Sequence, residues 1–294
     1  MRKSSSISTA NLNALSKLVS NAGFKRLVNK EDYKSYGIQI KNLLKASGKS
    51  LNKKHSINDL INISYEHLLA NYRYEYLYKL VWLNEYVLRN YSLSDTVILN
   101  EFKINSSIAD IILVNGTNKV FEIKTELDSP ERLKNQINDY YKAFSEVYII
   151  IHHSDIEKYI HIVDENVGIM IFSSCNSIKL LRNSRPVNHK LDSVVMAKAL
   201  RKDEFLAMTK NLLGYIPIVK PVMMFKTCMA EISKLPPEKI QQEFLKAIKN
   251  RINLNTNDLI NTQGVPNILK FSCYLSNIST NNYKFITKHL KFQL

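Results

Sequence analysis

Between residues 71 and 172 the sequence alternates between helical and strand patterns, and this alternation restricts the fold more than any other feature. Apolar residues recur at helical spacing over Asn71–Asn90. Three short β-rich runs follow at Val97–Ile104, Ile108–Val114 and Val120–Thr125. Asn and Gly occupy the two intervening turns, where they tolerate the positive φ angles of tight hairpins. The pattern predicts a helix followed by two β-hairpins.

The next part of the sequence predicts a second helix and more strands. Ser129, Pro130 and Glu131 are typical of the first turn of a helix, and we expect this helix to end near Ser145. Three strands are predicted after it, at Val147–Ile151, Tyr159–Val163 and Gly168–Phe172. Helices interleaved with a small mixed sheet predict an α/β core.

The remaining sequence is mainly helical in pattern. After residue 175 the predicted helices are Leu191–Leu200, Asp203–Leu213, Phe225–Leu235 and Pro237–Ile252, with Pro237 in a first turn. Short helical stretches also occupy the first 60 residues. We therefore expect a basic helical amino-terminal arm (1–60), an α/β core (61–174) and a basic, mainly helical carboxy-terminal domain (175–294).

The charge distribution matches this division. The chain of 294 residues has a net charge of +15, which favours a polyanionic partner such as nucleic acid or an acidic membrane surface, and the charge alone does not choose between them. The three parts carry +9, −6 and +12. An acidic core between basic segments is expected of a metal-dependent enzyme that acts on a phosphate backbone. An ordinary acidic domain with solvated basic helices fits the same counts.

Several protein classes are excluded by composition and pattern. The three cysteines are far apart and form no C-x-x-C pair, which argues against a disulfide framework or a zinc knuckle. We expect them to be buried thiols. The basic, Ser-rich start leads into no apolar stretch, and the longest apolar runs are strand-sized. The sequence therefore predicts a cytoplasmic protein without a membrane partner.

Three residues on the predicted strands are candidates for chemistry. Asp110 lies in the second strand, and Glu122 and Lys124 share one face of the third because side chains alternate. Burying a carboxylate costs several kcal/mol unless a cation or hydrogen bond compensates. Two acids and an ammonium group at adjacent strand positions therefore predict a metal site with its substrate. The alternative is a solvated strand face with Asp110 at a turn.

The spacing of these residues carries a resemblance to a known superfamily. Asp110, followed after eleven residues by Glu122-Ile123-Lys124 on a neighbouring strand, resembles the PD-(D/E)XK nuclease signature, with Ala109 in place of its proline. Gln136 and Tyr140 in the following helix are similar to the Q-x-x-x-Y element of RecB-type members. The resemblance extends to an uncharacterised bacterial branch of the superfamily. It implies a restriction-endonuclease-like core.

The resemblance also implies a cofactor and its ligands. Mg²⁺ or Mn²⁺ would be held by Asp110, Glu122 and the backbone carbonyl of Ile123. In such nucleases a further acid often comes from the first helix of the core, and Glu75 is the matching position here. Glu101, on the first strand, is a second candidate. Glu75 fits equally well an ion pair with the lysine four residues later.

The implied activity is hydrolysis of phosphodiester bonds, usually leaving a 5′-phosphate. Lys124 would orient the attacking water or neutralise the phosphate, while Gln136 and Tyr140 would position the strand or the lysine. DNA is favoured over RNA as substrate, and proteins of this type often defend bacteria against foreign DNA. The alternatives are a non-catalytic nucleic-acid-binding or adaptor protein and an RNA-cleaving toxin. A homodimer or a partner protein is compatible with each.

Overall fold

The chain forms two units that do not follow the predicted division at residues 60 and 174. The computed structural model describes residues 8–51, 53–173, 175–251, 265–276 and 280–294. One unit comprises residues 1–89 and 253–294, and the other comprises residues 90–252. The amino-terminal arm therefore shares a unit with the end of the chain, where the backbone N–H groups of His55 and Leu294 bond to each other's carbonyl groups at 3.2 and 2.9 Å.

The second unit contains a six-stranded mixed sheet, which confirms the predicted mixed α/β class. Its strands are β1 (Val97–Ile104), β2 (Ser107–Asn115), β3 (Thr117–Lys124), β4 (Glu146–His152), β5 (Gly168–Phe172) and β6 (Ile178–Arg182). They lie in sequence order across the sheet. β3, β4 and β5 are parallel, and the other neighbours are antiparallel. Both predicted hairpins form, with positive φ at Asn105 and Gly116.

Two parts of the strand prediction are wrong. The run Tyr159–Val163 is not a strand, because Ile156–Ile160 forms a helix that places Tyr159 in the core. Apolar residues three and four apart fit one helix face as well as a short strand does. β6 was not predicted, because this edge strand is largely exposed and carries Lys179 and Arg182.

The helices follow the predicted order with different boundaries. They are α1 (Thr9–Leu18), α2 (Asn21–Val28), α3 (Tyr33–Ala46), α4 (Ile57–Asn71), α5 (Glu75–Trp82), α6 (Leu88–Asn90), α7 (Leu133–Tyr140), α8 (Ile156–Ile160), α9 (Ser193–Ala199), α10 (Lys202–Leu213), α11 (Pro221–Ile232), α12 (Pro237–Lys249), α13 (Asn267–Leu275) and α14 (Thr280–Leu290). A π-helical turn over Leu83–Val87 interrupts the helix predicted at 71–90. Pro237 begins α12 as predicted.

The core of the second unit lies under α7. Apolar side chains from β2, β3 and β4 pack there with Ile137 on α7 and Phe144 after it. The Phe144 ring meets the Phe102 and Phe244 rings edge-on at centroid distances of 6.0 and 5.6 Å. α7 is thereby held against the sheet face that carries Ile112 and Val114 on β2 and Val120 on β3.

Two of the three cysteines lie in buried positions. Cys228 and Cys273 are buried as predicted, whereas Cys175 is exposed because it lies in the turn between β5 and β6. Among the helices that the structure describes, none combines the length and the apolar character needed to cross a bilayer.

Candidate active site

β2 and β3 place the two predicted acids side by side. The antiparallel register of the two strands ends at the Ile111–Phe121 pair, so Asp110 directly precedes the last paired residue of β2 and Glu122 directly follows that of β3. Asp110 Oδ2 also accepts a hydrogen bond of 2.7 Å from the backbone N–H of Ile123. The Asp110 carboxylate is therefore tied directly to the Glu-Ile-Lys segment.

The Glu122 carboxylate is the centre of a closed hydrogen-bond network. Its Oε1 atom accepts from Lys124 Nζ at 2.7 Å and from Gln136 Nε2 at 2.6 Å. Gln136 Oε1 in turn accepts from Lys124 Nζ at 3.0 Å. Glu122 Oε2 accepts from the Tyr140 hydroxyl at 2.5 Å. All three neighbours predicted from the sequence thus contact this one carboxylate.

Burial decides between the two interpretations of the strand face. Glu122 is 2% exposed and Lys124 is 7% exposed, so the solvated-face alternative is wrong. A buried ion pair often contributes less than an apolar pair of similar volume, because both charges must leave water. Stability alone therefore does not explain why Glu122 and Lys124 lie in the core.

α7 supplies Gln136 and Tyr140 from one face, because residues four apart lie above one another on a helix. Tyr140 is fully buried, and its hydroxyl lies 2.5 Å from Glu122 Oε2 and 3.0 Å from the carbonyl oxygen of Ile108. Burial, followed by the negative charge of Glu122, raises the pKa of Tyr140 far above its ordinary value. Tyr140 is therefore a permanent hydrogen-bond donor to Glu122.

We expect the free energy of unfolding of the Tyr140→Phe variant to be about 1–3 kcal/mol below that of the wild type, because the acceptors on Glu122 and Ile108 lose their donor. Urea unfolding at pH 7 measures this difference. The matched control is Tyr91→Phe, which removes a tyrosine hydroxyl that contacts Lys119 Nζ at 3.2 Å, outside the network. If the control loses as much free energy of unfolding or more, the hydrogen bond of Tyr140 to Glu122 stabilises the fold no more than an ordinary tyrosine hydroxyl does.

The two candidates for a further acidic ligand lie in different units. Glu75 begins α5 in the first unit, is 48% exposed at its side chain and forms an ion pair with Lys79. Glu101 lies on β1, where the pairs on either side of it place it beside Asp110. Its φ of 54° is unusual for a residue other than glycine. A ligand role for either acid stays a prediction.

The chemistry of the site fits a hard divalent cation held by few protein ligands. Within the described ranges, no group of three or more His, Cys, Asp or Glu side chains is arranged to hold a metal. Mg²⁺ commonly binds through one or two carboxylates and keeps several waters. Asp110 and Glu122 form such a pair. Glu122 Oε2 accepts one hydrogen bond from the described residues, which leaves an acceptor direction for a cation.

Asp139 is a structural centre of the site that sequence reasoning missed. Its carboxylate accepts hydrogen bonds of 2.7–2.8 Å from Asn105, Ser106, Ser107 and Lys142. Burial raises the pKa of Asp139, but these hydrogen bonds lower it more, so the net pKa lies well below its ordinary value. Asp139 thereby fastens the β1–β2 turn to α7. The polar residues of the turn can be seen in the sequence, but the carboxylate to which they donate lies 32–34 residues further along the chain.

Comparison with known proteins gives a matching family and a sequence relative from a phage. A family model described as "Bacteriophage P4 protein cII" matches residues 69–272, a range that includes the whole sheet and α7. Protein cII of Enterobacteria phage P4 is 30% identical over 184 residues, which is 60% of this chain and 68% of that protein. A solved protein of unknown function from Silicibacter pomeroyi covers 48% of this chain and 79% of its own, with 12% identity and a TM-score of 0.27.

Proposed function

The chain belongs to the bacteriophage P4 protein cII family, and we propose that it is a metal-dependent nuclease that hydrolyses phosphodiester bonds, in DNA rather than RNA. The observation that carries the proposal is the convergence of Lys124, Gln136 and Tyr140 on the buried Glu122 carboxylate. Asp110 is bound to the same segment, because its Oδ2 atom accepts a hydrogen bond of 2.7 Å from the backbone N–H of Ile123. The PD-(D/E)XK resemblance provides the reaction class, and the geometry supports it.

The proposed cofactor is Mg²⁺ or Mn²⁺, held by Asp110 and Glu122 with the carbonyl of Ile123. When bound, such an ion lowers the pKa of a water ligand and offsets negative charge on the scissile phosphate. Gln136 and Tyr140 fix both oxygens of Glu122, so the carboxylate needs little reorganisation when it binds a cation. The role of the helix residues is therefore to hold the acid.

Lys124 is the group proposed to act on the phosphate or on the attacking water. Its ammonium group lies 2.7 Å from Glu122 and 3.0 Å from Gln136, which limits its side-chain freedom. An ammonium group carries three N–H donors, so one remains for a phosphate oxygen or a water beyond these two bonds. A positioned cation at developing negative charge stabilises the transition state without reorganisation.

The competing function is a non-catalytic nucleic-acid-binding or adaptor protein that keeps this core as a scaffold. The observation in its favour is that the described residues contain no group of three acids or histidines around one point. The buried Glu122–Lys124 pair counts against it, because an apolar pair would serve a scaffold equally well. A role in defence against foreign DNA stays a prediction of the resemblance.

Cleavage assays with the full chain test the proposal. We expect labelled single-stranded or duplex DNA to be cut in Mg²⁺ or Mn²⁺, with RNA cut more slowly. Excess chelator should abolish cleavage and added Mg²⁺ should restore it, because the ion supplies both the activated water and the charge compensation. Cleavage that persists in chelator would contradict the metal. Failure to cut any of the three polymers with either ion would favour the scaffold.

A further inference from the structure

The first unit carries a surface on which lysines alternate with aromatic rings. It is formed by Lys30 in the α2–α3 turn, by the start of α3, and by α14 with the residues that follow it. Phe285 and His289 lie four apart on one face of α14, and Phe292 lies two residues after the helix ends. Each of these residues directly follows an exposed lysine, Lys284 and Lys288 on the helix and Lys291 just after it. We call these residues, with Lys30, Tyr33 and Lys34, the cation–aromatic surface.

Ring contacts join the two ends of the chain at this surface. Tyr33 stacks on His289 with a centroid distance of 3.8 Å and meets Phe292 edge-on at 5.4 Å. Lys30 Nζ lies 3.9 Å from the Phe285 ring centroid, and Lys34 Nζ lies 5.2 Å from that of Phe292. Such cation–π contacts restrict a lysine without removing its charge. Lys30 and Lys34 are therefore held close to the surface instead of extending freely into water.

The charged side chains of this surface are positive, and few acidic side chains lie near them in the sequence. After Asp258 the chain contains four lysines and no Asp or Glu. On the α2–α3 side, Asp32 is occupied by Arg26 through bonds of 2.7 and 2.9 Å. Glu31 is the exposed acid of this segment. Rows of lysines with adjacent aromatic side chains are typical of proteins that bind the nucleic-acid backbone.

We propose that the cation–aromatic surface binds the phosphodiester backbone of nucleic acid. The inference rests on the proposed function for the identity of the polymer, but it concerns a different unit and does not require cleavage. The rise of an α-helix separates Lys284 from Lys288 by about 6 Å along the axis. This spacing suits successive phosphates of a strand, and it predicts binding without sequence preference because no base edge is read.

Salt-dependent binding tests this surface separately from catalysis. The protein is the full-length Glu122→Gln variant in chelator, and the probes are a 30-nucleotide single strand and a 30-base-pair duplex of the same sequence. Replacing Lys284, Lys288 and Lys291 with Gln should weaken duplex binding at least about tenfold at 0.1 M salt and reduce the log–log salt slope by up to about 2.7. The matched control replaces three other exposed lysines of the same unit, Lys17, Lys45 and Lys53.

The surface is supported if the first triple variant loses binding and salt slope while the control keeps both. The inference is overturned if the two variants lose equally, since net charge alone would then explain binding, or if neither loses. Binding to vesicles that contain 30% phosphatidylserine tests the other source of negative charge, an anionic membrane. If the first triple variant loses vesicle binding but keeps DNA binding, the surface binds an anionic membrane and the proposal is overturned. Neither result depends on whether the wild type cleaves DNA.

Discussion

We expect Glu122→Gln to lower the rate of DNA cleavage by at least about 10³-fold at saturating Mg²⁺, because several kcal/mol of charge stabilisation disappear with the carboxylate. Gln keeps the shape of the side chain but no longer carries the charge that a cation requires. Single-turnover cleavage of an end-labelled duplex measures the effect. Lys124→Gln should lose a similar factor, because the two groups contact each other and act together.

The controls separate loss of chemistry from loss of fold. Glu122→Gln leaves the buried Lys124 without its anion, so the variant should be less stable as well as inactive. The double variant Glu122→Gln/Lys124→Gln removes both charges and should recover part of the stability without recovering cleavage. Glu131→Gln, an exposed acid at the start of the α7 segment, should cleave like the wild type. Cleavage by the double variant at the wild-type rate would contradict the assignment.

The hairpins and the candidate site could be predicted from the sequence because they depend on residues that are close together in the chain. β1 to β3 are consecutive and joined by turns of two residues or fewer, so alternation and turn residues determine which side chains share a face. Asp110, Glu122 and Lys124 follow from that register. Gln136 and Tyr140 belong to the next helix, and their spacing of four was sufficient to place them on one side of it.

Other features depend on contacts that the local pattern does not contain. The first unit combines residues 1–89 with residues 253–294, and backbone hydrogen bonds join residues 55–57 to residues 292–294, which are remote in sequence. The helix predicted at 71–90 is interrupted by a π-helical turn that apolar periodicity does not register. The positive φ of Glu101 in the middle of β1 was equally invisible, because Glu has no preference for that conformation.

Replacing Asp139 with Ala should lower the free energy of unfolding by about 3 kcal/mol at pH 7, the largest effect expected from a residue outside the Glu122 network. The carboxylate is 5% exposed and accepts from four donors, and a hydrogen bond to a charged group is worth about 1.5–3 kcal/mol. The exposed donors of the turn can bond to water instead, which reduces the total. Urea unfolding measures the difference, with Asp128→Ala as a matched control that removes a turn carboxylate bonded to Thr125.

The pH dependence identifies the Asp139 charge as the cause. The hydrogen bonds hold the pKa of Asp139 below its ordinary value despite burial. Its contribution is therefore complete above the unfolded-state pKa of about 4 and declines as the pH falls from there toward the lowered folded-state pKa. Wild type and Asp139→Asn should differ most at pH 5–7 and converge at the lowest pH at which both remain folded. A difference independent of pH would assign the loss to packing and leave α7 positioned by its apolar contacts alone.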